Sequence, residues 1–197
     1  LMTDGTPFQS QEGWQTMQYN QEFKDRDPRM AQTLAAPDYV AVGADALSKY
    51  YPSCKDYERS GYRPIKYFSD DTHDGATTST TDYAIFRYGE VLLNYAEAKA
   101  ELGQIDETIW NETVGELRKR AGVKNVYPAS AGYVEDAWLK SYYGDPTLSN
   151  TMLEIRRERV TELICENLRS SDLSRWACQD LIVDRGTNNS GWMGIYV

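Results

Sequence analysis

From Tyr83 onward the apolar residues fall into a helical period. Ile85, Tyr88, Leu92, Tyr95 and Ala96 recur at steps of three and four, Val91, Ala98 and Leu102 widen the stripe, and Gly103 is placed to end the helix. Asp106 is a candidate cap for a second helix running through Ile109, Thr113, Leu117 and Ala121 to Gly122, so the two predict a helical hairpin across a short turn. The spacing Thr151-x-x-Glu154 predicts a capping box that opens a long helix whose buried stripe is Met152, Ile155, Val160, Leu163, Ile164 and Leu168. Between these lies an aromatic-rich connection, interrupted by Pro128, Gly132, Gly144 and Pro146, with a short helix predicted over residues 134–142.

Residues 1–82 read differently. Gly and Pro punctuate short mixed segments with no sustained period, which predicts loops with short helices or strands. Asp27 before Pro28 is a candidate N-cap, residues 61–68 look extended, and the Thr-rich run 69–81 predicts a surface loop. The expected fold is therefore mainly α, with extended loops and few short strands. Residues 1–82 form a loop-rich flank and 83–197 a helical core, within one structural domain. Leu1 is not an initiator Met, and the chain stops in the apolar stretch Gly191 to Val197, so both ends read as cuts in a longer protein.

A chain of 197 residues can bury a real core. Its 15 Tyr and 5 Trp exceed what core packing usually requires, so some of these rings are expected to face outward. Trp14, Tyr39, Trp110, Trp138, Tyr142, Tyr143 and Trp192 fall mostly in predicted loops or at helix edges. Rings so placed can stack on the apolar faces of sugars while neighbouring Asp, Asn and Arg bind hydroxyls; the competing reading is that each caps the core. Trp14, Tyr39, Trp138, Tyr142, Tyr143 and Trp192 are the candidate ligand-binding residues.

The net charge of −9 argues against a nucleic-acid partner, because phosphate binding needs clustered Lys and Arg. No apolar run approaches the ~20 residues that span a bilayer. Cys54, Cys165 and Cys178 show neither zinc-site spacing nor an even count, and read as small buried apolar side chains. Residues 70–75 place carboxylates and Gly75 as in a calcium loop, but Thr81 stands where the loop requires a bidentate Glu. His73 is the single histidine, so a Ser-His-Asp triad or multi-His metal site would need partners from outside the chain. Nucleotide-binding glycine motifs are absent from the sequence, and no cofactor or metal is expected.

The densest polar feature is Glu154, Glu158, Glu162 and Glu166, spaced by four on one helix face, where like charges repel. Arg159, three residues before Glu162, Arg169, three after Glu166, and the Arg87 and Glu90 pair suggest arginine-to-carboxylate pairing between helices. The expected structural network is Arg87, Glu90, Glu97, Glu158, Arg159, Glu162 and Arg169. Glu90 and Glu97 could instead be read as the acid and base of a glycoside hydrolase. Two helical turns would separate their carboxyls by roughly 10 Å, at or beyond the long end of the inverting range. Neighbouring arginines would also lower their pKa, the wrong direction for a general acid, so no catalytic residue is assigned. Arg159 offers a discriminating substitution: Arg159→Ala should cost about 3 kcal/mol if the pair is buried and under about 1 kcal/mol if it is exposed.

Several of these segments occur together in one order. Residues 86–98 (Phe-Arg-Tyr-Gly-Glu-Val-Leu-Leu-Asn-Tyr-Ala-Glu-Ala), 117–123 (Leu-Arg-Lys-Arg-Ala-Gly-Val), 154–163 and 172–176 (Asp-Leu-Ser-Arg-Trp) resemble the signature segments of the SusD/RagB family of surface nutrient-binding lipoproteins. Upstream, residues 4–7 and 26–29 also resemble family segments. The resemblance implies the C-terminal portion of a non-enzymatic protein that binds an oligosaccharide or peptide at the outer-membrane surface. Such a protein would pass its ligand to a SusC-like TonB-dependent transporter. Membrane association would come only through an N-terminal lipid anchor outside this chain. Glu166-Asn167-Leu168-Arg169 departs from the family's Glu-Gly-x-Arg. The expected function is glycan capture. The alternatives are a peptide-binding member or a helical-repeat module that docks a protein, the hairpin being about the ~34 residues of one tetratricopeptide repeat.

Overall fold

In a computed structural model, the protein is described over residues 1–40, 60–68 and 79–181. The architecture is helical; among the described residues, extended pairing is limited to two isolated antiparallel bridges, Met2 with Arg26 and Leu34 with Pro64. The N-terminal flank holds two single 3-10 turns, Phe8–Ser10 and Trp14–Thr16, and two short helices, α1 (Tyr19–Glu22) and α2 (Arg29–Thr33). The Asp27 carboxylate accepts the Arg29 backbone N–H at 3.0 Å at the entrance to α2.

The hairpin is built from α3 (Tyr88–Glu101) and a continuous helical run made of α4 (Glu107–Trp110), a π-type turn (Asn111–Gly115) and α5 (Glu116–Ala121). Asp106 caps this run, accepting the Ile109 N–H at 2.8 Å, and Gly122 ends it at φ 75°, a left-handed conformation that glycine adopts without a Cβ clash. The short helix of the aromatic connection is α6 (Ala137–Tyr143), capped by Asp136. The long helix is α7 (Asn150–Glu162), followed by α8 (Arg169–Arg175).

The main core joins Leu93 and Ala96 of α3, Trp110, Val114 and Leu117 of the second hairpin helix, and Ile155 and Leu163 at α7. A smaller cluster centres on Tyr19 and Ala35. Two sequence expectations are corrected here. The cap of α7 is Ser149, whose hydroxyl accepts the Met152 N–H at 3.1 Å; Thr151 already lies inside the helix. Helix α3 starts at Tyr88, and the expected apolar stripe is largely its outer side: Ile85 is 82% exposed, Tyr88 74%, Val91 54% and Leu102 67%. The inward face carries Gly89, Leu93, Ala96 and Glu97, because small side chains let α7 approach and Glu97 meets arginine there.

Neither of the described cysteines is buried: Cys165 is exposed and Cys178 half-buried, both free, so the reading of them as buried side chains does not hold. The departure from the family's glycine also has a conformational account. Asn167 sits at φ 60°, in the left-handed region where Asn is the next most accommodating residue after Gly.

Candidate functional site

Charge dominates the interior around α7. Glu158 is fully buried and receives Arg29 at 2.6 Å and Arg118 at 3.0 Å. Arg118 also reaches Glu154 at 2.6 Å, while Glu162 gathers Arg29, Arg87 and Arg120. Arg87 continues to Glu166 at 2.7 Å, where Lys66 also binds. Gly89 lies against the Arg87 and Glu162 pair: a Cβ there would sit 2.8 Å from Arg87 Nη1 and 3.2 Å from Glu162 Oε1, so a larger residue would push the two side chains aside. Arg157 joins Glu154 to Asp136, the cap of α6. Among the described residues, this connected network holds six cations and six carboxylates.

Burial by itself would raise the Glu162 carboxyl. Hydrogen bonds from Arg120, Arg87 and Arg29 outweigh it and hold its pKa at about 2, below the ordinary 4.5. Burial likewise opposes ionisation of Glu154, yet Arg157 and Arg118 hold its carboxyl below the usual range.

A second, smaller network pairs Arg159 and Arg175 with Glu97 and Asp172. Arg159 is 3% exposed; its Nε and Nη2 each lie 2.9 Å from Asp172, and Nη1 is 2.6 Å from Asn94. Arg159→Ala should therefore lower the unfolding free energy by about 3 kcal/mol, read from urea midpoints. A loss under about 1 kcal/mol would contradict this geometry. Glu97 accepts both Arg175 and the Trp176 indole N–H, the latter at 2.6 Å, so it is held among donors. Glu90 forms no ion pair among the described residues, and Arg169 meets phenol oxygens in place of carboxylates. Both depart from the expected network, because helical spacing locates neighbours on one helix and the partners here come from other segments. Arg29, Arg118 and Arg120 are absent from the expected network for the same reason, as is the pairing of Arg175 with Glu97; the pairing of Arg175 with Asp172, three residues earlier on α8, is one that helical spacing does offer.

The aromatic residues form a separate feature. Trp138 and Tyr142, one turn apart on α6, stack with centroids 5.1 Å apart and planes 23° from parallel. Trp14 stands edge-on to Trp138 at 6.4 Å, and Phe8 edge-on to Trp14 at 6.3 Å. At the other end Tyr143 meets Tyr142 at 5.2 Å and Trp176 at 6.1 Å. Six rings thus run in one arc, and Trp138, at 39% exposure, presents its surface to solvent.

Four of the six candidate ligand residues, Trp14, Trp138, Tyr142 and Tyr143, are in this arc. Tyr39 packs instead against the Tyr19 and Ala35 cluster. Trp192 lies outside the described residues, as do Cys54, His73 and most of the calcium-like segment. Trp110, also read as peripheral, is completely buried, with its indole N–H donated to Asn125 at 2.8 Å. Phe8 and Trp176 were not anticipated as arc members; no sequence spacing connects residue 8 to residue 14 or 138.

Among the described residues there is no group of His, Cys, Asp and Glu suited to hold a metal ion, and no helix long and apolar enough to cross a membrane. Comparison with curated proteins gives no match, and neither does comparison with solved structures. The family model described as the SusD family matches residues 1–193, so this chain belongs to the SusD family, whose members bind nutrients, glycans among them, at the cell surface.

Proposed function

We propose that the chain binds an oligosaccharide on the aromatic arc, without chemically altering it, and delivers it to a SusC-like TonB-dependent transporter in the outer membrane. The observation that carries this reading is the exposed Trp138 ring, stacked near-parallel on the half-buried Tyr142 and flanked by Trp14 and Tyr143. A flat apolar surface edged by phenol hydroxyls suits the alternating apolar face and hydroxyl rim of a pyranose. A lipid anchor of the kind the family carries would hold the protein at the surface.

Glycan-array screening followed by calorimetric titration tests the proposal. Trp138→Ala should weaken the bound oligosaccharide by about tenfold or more, equivalent to about 1.4 kcal/mol. Tight binding of a peptide, with every poly- and oligosaccharide failing, would overturn it.

A second reading, a helical-repeat module that docks protein, draws on one observation. The outer face of α3 leaves Tyr88 and Tyr95 exposed beside a groove lined also by Leu92, Glu112 and Glu116. Its occupant would be an amphipathic helix with Lys or Arg flanking its apolar face, to meet those acids. Tyr95→Asp separates the readings: loss of protein docking with an unchanged oligosaccharide titration would favour this second one.

A further inference from the structure

Among the described residues, both networks around α7 hold equal numbers of cations and carboxylates, whereas Arg156 and Arg169, beside the aromatic arc, pair with no carboxylate. Arg156 and Arg169 both face its Trp176 end: Arg156 lies 4.6 Å from the Trp176 ring centroid and 5.2 Å from that of Tyr143, and Arg169 lies 5.8 Å from Trp176. Neither guanidinium has a carboxylate partner among the described residues.

Arg156 is only 6% exposed, its Nε has no hydrogen-bond partner, and its Nη1 reaches no more than the Cys178 sulfur at 3.7 Å. Arg169 is half-buried and holds its two terminal nitrogens 3.4 Å from the hydroxyls of Tyr142 and Tyr143, long contacts for a charged donor. Asp145, an acidic side chain on which the charge of Arg156 acts, turns its carboxylate to the Thr147 N–H and hydroxyl, at 2.9 and 2.6 Å. At the far end of the arc, Arg26 stacks over Phe8 at 3.8 Å and gives its hydrogen bonds to backbone carbonyls of Leu1 and Glu22.

A buried guanidinium without a counter-ion is costly. In a chain of net charge −9, two neighbouring guanidiniums that pair with no carboxylate among the described residues are the reverse of the general charge pattern. We infer that the arc selects an acidic oligosaccharide, one whose sugar residues carry carboxylates, as uronic acids do. Resting on the glycan reading above, this places sugar rings on Trp138 and Tyr142 and one carboxylate against the planar fork of Arg169. Arg156, stacked beneath, adds its charge from inside. A carboxylate matches that fork in shape and accepts two parallel hydrogen bonds, which a hydroxyl does not. The phenol of Tyr143 is then released to a sugar hydroxyl.

The test is calorimetric titration of the full chain with fragments of several uronic-acid polysaccharides, each beside its carboxyl-reduced neutral counterpart of the same linkage. At least one acidic fragment should bind about tenfold tighter than its reduced form. Its affinity should fall as NaCl rises from about 50 to about 500 mM, while that of neutral forms holds. In Arg169→Gln the preference for acid over neutral should collapse toward one. If that variant does not fold, the salt series on the unaltered chain together with Arg169→Lys, which keeps charge and loses the fork, decides the point.

Neutral fragments binding as well as or better than acidic ones would overturn the inference and leave glycan binding intact. Binding of neither would overturn both. A preference for acid that survives unchanged in Arg169→Gln would overturn the assignment to this arginine.

Discussion

Replacing Arg118 by Ala is expected to lower the unfolding free energy by about 3–5 kcal/mol, the range for removing one partner of a buried ion pair. Arg118 is 2% exposed and spans Glu154 and Glu158, both 1% exposed at the side chain. Its guanidinium also lies 5.4 Å from the centroid of the buried Trp110 ring, so its loss opens space in the core as well as a charge deficit. Burial weakens ionisation of this guanidinium, but Glu158 and Glu154 outweigh it and raise the pKa, so the charged form is the native one. Arg29 and Arg157 remain near the two stranded carboxylates, which sets the loss within the range and not above it. Arg118→Lys should recover only part, since one ammonium cannot replace a fork that reaches two acids. Urea unfolding followed by circular dichroism measures the difference. A midpoint for Arg118→Ala within about 1 kcal/mol of the unaltered protein would contradict the buried geometry.

The second large effect is acid unfolding. The Glu162 pKa of about 2 in the folded state lies below the ordinary 4.5. Its ionised form is therefore favoured by folding. That contribution is fully present above about pH 4.5 and is lost as pH falls toward 2. The difference corresponds to about 3 kcal/mol from this one carboxylate. Glu154 and Asp27 are shifted in the same direction against the effect of their own burial, by Arg157 and Arg118 for the first and by Arg29 for the second. Urea midpoints should be flat from neutral pH down to about 5, then fall steeply below about 4.5. Glu162→Gln should be less stable at neutral pH and show a shallower decline. A profile that stays level to pH 2 would show that folding does not favour the ionised forms of these acids.

The sequence made the helices legible where chemistry is local. Asp106, Gly122 and the period-four glutamates are each recognisable from neighbours within a turn or two, and the hairpin and long helix follow from them, although that helix stops at Glu162, short of the Ile164 and Leu168 to which its expected stripe ran. The orientation of α3 was not legible, because hydrophobicity alone favours the side bearing Tyr88 and Val91. The choice is made by Glu97 reaching Arg175 and Trp176, nearly eighty residues away. Arg29 to Glu162 spans 133 positions, and nothing in the spacing of either residue announces the other. The arc shows the same limit. Trp138 and Tyr142 are one turn apart and could be paired on sight, whereas Trp14 and Phe8 join them only through the fold of the N-terminal flank.

The even spacing of Glu154, Glu158 and Glu162 has a consequence for how α7 is located along its own axis. A slip of one turn, about 5.4 Å, would present each surrounding arginine with another glutamate in nearly the same place. The repeated acids grip strongly without marking a position, like equal teeth on a rack. The marks are the unrepeated arginines. Four residues to either side of Arg159 stand Ile155 and Leu163, and four to either side of Arg157 stand Leu153 and Thr161. The forks from these two to Asp172 and Asp136 can therefore close at one setting only. Extending the regular series would strengthen the hold on the helix while leaving its alignment to the same two latches.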